Sequence, residues 1–190
     1  MGVALSLHRL DPSAIEDFES GAVSPFAVLD AVGGRSSQLG SQTPGPPDPD
    51  VLHLSKLWDV YLALLSEERR NDREPWPDEP RPWAAPYTDP LAWAVVGRHV
   101  CRYDEQAHGG GLLKYNDPND VVEIERRIQA VALGVFVRPL GDVIGQRHVY
   151  RARAGIRDPS LSLYANTLEN LKVFYAGAAR ARDCVFAWML

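Results

Sequence analysis

Three side chains that could do chemistry lie close together in the chain: His99, Cys101 and His108. Imidazole and thiolate are zinc ligands, and a thiolate beside an imidazole is also a nucleophile with its base. Arg98 and Arg102 flank the cysteine and would favour its thiolate form. Each pattern nonetheless lacks a part. His99 and Cys101, two apart on a strand, would point the same way, but no second ligand pair follows, so no metal site is expected. His108-Gly-Gly-Gly111 matches the backbone oxyanion-hole motif of some esterases, yet no G-x-S-x-G supplies a nucleophile. A glycine turn is the simpler reading. Phosphate-binding glycine loops are absent, and no cofactor is expected. Glu123 and Glu125, beside Arg126 and Arg127, read as an ion-paired, exposed helix face.

A second stretch carries recognition chemistry rather than reactivity. Over residues 74–90, Pro75, Pro77, Pro80, Pro82, Pro86 and Pro90 are interleaved with Trp76, Trp83 and Tyr87. That spacing forbids helix and sheet interior. Pro77-Asp-Glu-Pro80 has the P-x-x-P form that aromatic-lined domains bind, and Trp is over-used at binding hot spots. Trp76, Trp83 and Tyr87 are therefore the candidate partner-binding residues. The plainer alternative is that they fold back over the edge of the core.

The elements that must position these groups are legible from periodicity. Tyr164, Leu168, Leu171, Tyr175 and Ala178 form one stripe of a long helix, opened by Asp158-Pro159. It runs into Cys184-Val-Phe-Ala-Trp-Met-Leu190, an unbroken apolar run with the character of a strand covered on both faces. The rest of the chain is organised around this pair. Val3, Leu5 and Leu7 alternate with smaller or polar residues, predicting an N-terminal strand from about residue 2 to 10. Acceptor-then-proline pairs at Asp11, Ser24, Asp89 and Asp117 predict further helix starts, the second carrying Phe26, Leu29 and Val32 and stopped by Gly33-Gly34. A core helix is predicted over residues 54–65, with Leu54, Leu57, Trp58, Tyr61, Leu64 and Leu65 on one side, and another from Asp117 to about Leu133. Short strands are predicted at residues 100–103 and 112–115, and a broken helix near Val143-Ile144. Residues 35–50 read as a flexible loop inside a single domain.

Composition narrows the classes. With 190 residues one domain is favoured, and a net charge of −5 argues against general nucleic-acid binding. Arg147, Arg151, Arg153 and Arg157 read as a solvated face. The two cysteines do not make a disulfide framework, which fits a reducing compartment. With neither a membrane-length apolar run nor a basic-then-apolar leader, a cytoplasmic protein is expected, from a GC-rich and so bacterial genome.

Several pieces, in order and spacing, resemble the YfbM-like family of uncharacterised bacterial proteins (domain of unknown function 1877). They are residues 1–10 (MGVALSLHRL), Leu54-Ser-Lys-Leu-Trp58, Asp89-Pro-Leu-Ala-Trp-Ala-Val-Val-Gly97, Leu113-Lys-Tyr115, and Leu168 to Leu190 with Phe174-Tyr175-Ala-Gly-Ala-Ala179. The resemblance implies an α+β fold in which the terminal strands share one small sheet packed with helices. It implies no activity. Where it would place a histidine, after Trp58, this chain has Asp59, Val60, Tyr61 and Leu62, and the Pro/Trp insertion at 74–90 is a further departure. The expectation is a non-catalytic cytosolic protein that binds another protein, as an inhibitor, immunity factor or assembly partner. The alternative is a small-molecule hydrolase or transferase with a cleft near His99, Cys101 and His108.

Overall fold

The strand at the C-terminal end is the centre of the molecule. The computed structural model describes residues 5–25, 27–28, 49–55, 57–71, 86–101, 113–144, 149 and 161–189. The predicted helix at Ser24-Pro25, nearly all of the 35–50 loop, the Asp158-Pro159 helix start, Trp76, Trp83 and His108 lie wholly or mostly outside them. In the described residues a five-stranded antiparallel sheet runs β2-β1-β5-β4-β3, with β1 Leu5–Leu10, β2 Val51–Ser55, β3 His99–Val100, β4 Leu113–Asn116 and β5 Cys184–Met189. Both terminal strands lie in it, side by side, so the fold is α+β.

The apolar run of β5 is explained by its place. One face, with Val185, Ala187, Leu5 and Leu7, joins the main core. The other, with Cys184, Phe186 and Trp188, packs under α1 (Ser13–Glu19), where Phe18 meets Phe186 edge-on at 5.3 Å between ring centres. With both faces covered, β5 is apolar at every position from Cys184 to Trp188.

The main core is built by α2 (Trp58–Leu65), α4 (Pro90–Val96), α5 (Pro118–Gln129), α6 (Leu133–Val137), α7 (Leu140–Ile144) and α8 (Leu161–Ala181), with α3 (Glu67–Asn71) following α2. The α8 stripe is inward as predicted: Tyr164, Leu168, Leu171, Tyr175 and Ala178 are all fully buried. Glu123 pairs with Arg126 and Arg127 on the outer side of α5, as its sequence suggested.

Two expectations are corrected. The helix predicted over 54–65 starts only at Trp58, because Val51–Ser55 pairs with β1 as an edge strand. Leu52 and Leu54 serve equally as alternate residues of a strand or as the first turn of a helix, and pairing with β1 decides between them. Nor is α2 one-sided: every residue from Trp58 to Leu65 is buried. Its Asp59 is accommodated by Arg69 of α3 (Nε to Oδ1 2.8 Å, Nη2 to Oδ2 2.9 Å). Of the strand expected at 100–103, Val100 lies in β3 after His99 and Cys101 continues the backbone bonding to Leu113, while residues 102–103 fall outside the described residues.

Candidate functional site

Geometry at the exit of α4 is what places His99. Gly97 ends that helix at φ +73°, and a Cβ there would lie 2.9 Å from the Lys114 Cβ and 3.0 Å from the Tyr115 nitrogen. Only glycine lets β3 come so close to β4 with a left-handed backbone. Asn116 then fixes the entry. Its Oδ1 accepts from the Arg98 N–H (3.0 Å), while its Nδ2 donates to the Trp93 carbonyl (2.9 Å) and toward the Tyr175 hydroxyl (3.4 Å). Tyr175 in turn donates to the Ala94 carbonyl (3.0 Å). Burial, the leading cause, pushes the Tyr175 phenol far up, so it stays a neutral donor.

The start of α5 supplies the carboxylates. Asp117 caps the helix through Oδ1, accepting from the Asn119 and Asp120 amides at 2.8 and 2.9 Å, and Asp120 closes the capping box back to the Asp117 amide at 3.3 Å. Asp120 does more than cap. Its Oδ2 lies 2.8 Å from His99 Nε2, and its Oδ1 accepts from Arg98 Nη1 at 2.6 Å. Asp120 is almost wholly buried, whereas His99 keeps about a third of its surface. The Arg98 guanidinium also lies over the Trp93 ring at 4.4 Å. The contact between Nε2 and a carboxylate places a proton on Nε2.

Beside this pair is an open cleft of about 480 Å³ lined by Glu19, Arg98, His99, Val100 and Tyr115. The His99 and Tyr115 rings lie 5.2 Å apart, tilted by 35°. His99, Asp117 and Asp120 are also the one group of described residues whose donor atoms, all within 4.8 Å of one another, could hold a metal ion. The contact with His99 and the ion pair with Arg98 already satisfy Asp120 without one.

Of the three reactive residues picked out in the sequence, the structure brings His99 to this cleft and leaves Cys101 out of its lining. Cys101 is buried with Leu113, Cys184 and Phe186 beneath α1, and burial first, then the Glu19 carboxylate, pushes its thiol up to about 12. Such a thiol is not a thiolate nucleophile at neutral pH, and Arg98, turned to Asp120, does not activate it. Tyr87 packs partly buried against the main core, its carbonyl accepting from Trp93 Nε1 at 2.7 Å. Sequence reasoning read Asp117-Pro118 only as a helix start and passed over Asp120. The D-P-x-D spacing of a capping box was the available signal, but that it faces β3 is a tertiary fact.

Fold and site together define a single-domain α+β protein with adjacent terminal strands and a histidine–aspartate pair at the sheet's far edge. A solved structure with this fold is the Escherichia coli protein YfbM, itself described as of unknown function. It is 15% identical, the match covers 98% of this chain and 99% of that one, and the TM-score is 0.54. At that identity the likeness concerns the fold alone. No protein-family profile and no curated protein matches the chain. No helix among the described residues is long and apolar enough to cross a membrane.

Proposed function

We propose that this protein works by holding another protein rather than by covalent chemistry, as an inhibitor, immunity factor or assembly partner in the bacterial cytoplasm. Membership of the family of domain of unknown function 1877 belongs to the same proposal. The observation that carries it is an apolar groove of about 290 Å³ where α2, α4, α6 and α7 meet, lined by Leu64, Leu65, Leu91, Val131, Val135 and Phe136. Val135 is 54% exposed there, and nearby Leu133 is 43% exposed. Arg70, Arg138 and Asp142 form the polar part of the lining. The stretch carrying Trp76 and Trp83 joins the described chain at Asn71 and Pro86, next to Arg70 on one side and near Leu91 on the other. An apolar anchor flanked by a carboxylate is the partner chemistry this groove suits, with the carboxylate meeting the arginines.

The test is recovery of partners by tagged wild type, by Trp76→Ala/Trp83→Ala and by Val135→Asp, each shown folded by circular dichroism. Val135 is exposed, so the charge does not enter the core. A partner held by wild type and lost from both variants is the expected outcome. Equal recovery of every partner by all three proteins overturns the reading.

A further inference from the structure

The charges around the apolar groove narrow what can occupy it. We propose that it takes the C-terminal residue of a partner protein, the last side chain lying apolar on the groove floor and the terminal carboxylate meeting Arg70 and Arg138. This inference rests on the partner-holding reading and names the part of the partner that is held. Leu64, Leu65 and Phe136 are buried and make the floor, with Val135 at the rim. At about 290 Å³ the groove lies at the small end of ligand pockets, a size for one large side chain rather than a run of them. Arg70 is held in place. Its Nη1 donates to the Ala63 and Leu64 carbonyls at 2.9 and 3.1 Å, at the C-terminal end of α2. Its Nε and Nη2 have no partner among the described residues, which leaves donors for an incoming anion. Arg138 and Asp142 line the same groove, and neither side chain has a hydrogen bond or ion pair among the described residues.

Two guanidinium groups against one carboxylate, in a chain of net charge −5, favour an occupant with an anionic group beside an apolar one. A chain terminus presents both from a single residue. Within an extended stretch of a partner, by contrast, an acidic residue and its apolar neighbour point to opposite faces. Asp142 suits the same occupant, as an acceptor for the N–H of the partner's last peptide bond.

The experiment is fluorescence anisotropy of the full chain with three labelled peptides: GSGSGL with a free C-terminal carboxylate, the same peptide as its C-terminal amide, and GSGSGS with a free carboxylate. The expected result is saturable binding of the first with a Kd on the order of 100 μM. The amide, which lacks the charge, and the serine peptide, which lacks the apolar side chain, should each bind at least roughly tenfold more weakly. Arg138→Gln should bind the first peptide at least about threefold more weakly. Arg138 is exposed, so that variant keeps the fold. Equal binding of acid and amide, both lost in Val135→Asp, overturns the C-terminal assignment and leaves the partner-holding groove standing. Binding that is unchanged in Arg138→Gln or in Val135→Asp also overturns it. So does N-acetylleucine binding as tightly as the peptide, which would mark a site for a small carboxylate. Absence of saturable binding by any of the peptides overturns it too, while the recovery of partners by wild type still decides the wider reading separately.

Discussion

Asp59 and Arg69 face each other as a two-pronged ion pair with neither side chain exposed to solvent, joining the all-buried helix α2 to α3. Taking one charge away leaves the other in a medium that cannot solvate it. Arg69→Met is expected to lower unfolding free energy by about 3–5 kcal/mol, read from urea midpoints. The double replacement Asp59→Leu/Arg69→Met should be less destabilised than Arg69→Met alone. If it is instead worse, the pair adds more than mutual charge compensation.

Gly97 and Gly21 share the same positive φ of 73°, but only Gly97 has no room for a methyl group. Gly21→Ala should cost about 1 kcal/mol, the backbone penalty alone. Gly97→Ala must also push β3 from β4, and should cost at least about twice as much. Thermal melts of the two variants provide the comparison, and equal losses would deny the close approach.

Cys101 and Cys184 both lie in the core under α1, and burial drives each thiol up to about 12. At pH 8 the native thiolate fraction is then on the order of one in ten thousand. Alkylation of the native chain should run roughly a thousandfold slower than in denaturant from ionisation alone. Rapid modification of the native protein by an aromatic disulfide reagent would contradict this placement.

Lys114 is buried on β4, and desolvation brings its ammonium down from 10.5 to about 8. Above about pH 8 the folded chain releases a proton that the unfolded chain still holds, so raising the pH favours the folded state. The two thiols act in the opposite sense from their ordinary value of 9 upward, because the unfolded chain ionises while the folded one keeps its protons. Stability should rise between about pH 8 and 9 and then turn over. In Lys114→Met the rise should vanish and the fall remain, as followed by urea unfolding across that range.

Asp120 anchors β3 to α5 through His99 and Arg98 and also closes the helix cap. Asp120→Ala is expected to cost about 2–4 kcal/mol, from a lost cap together with an ion pair that is buried on one side. The His99 ring resonances should shift in that variant, read by NMR, because the ring loses its contact with the Asp120 carboxylate. An unchanged His99 resonance would remove Asp120 as its orienting partner.

Much of the framework is legible because it rests on short-range pattern. The α8 stripe from Tyr164 to Ala178, the Asp89-Pro90 and Asp117-Pro118 helix starts, and the apolar run of β5 are local signals with one physical reading each. Leu52 and Leu54 were ambiguous, because five residues fit two periods and only the neighbouring strand resolves them. The site was less legible. His99 and Cys101 look equivalent in the chain, yet one is on an open edge and the other is sealed beneath Phe18.

By itself, then, the sequence marked the long helix α8, the proline-led helix starts and the central role of the C-terminal strand, because amphipathic period, proline at helix starts and unbroken apolarity act over a few residues; the α+β class, with the terminal strands in one sheet, was what the family resemblance implied. Tertiary structure alone decided that Asp120, twenty-one residues from His99, takes its imidazole and the guanidinium of Arg98. It also decided that Asp59 meets Arg69 out of solvent. Burial and the pairing of charges depend on which elements pack together, and no local spacing carries that information.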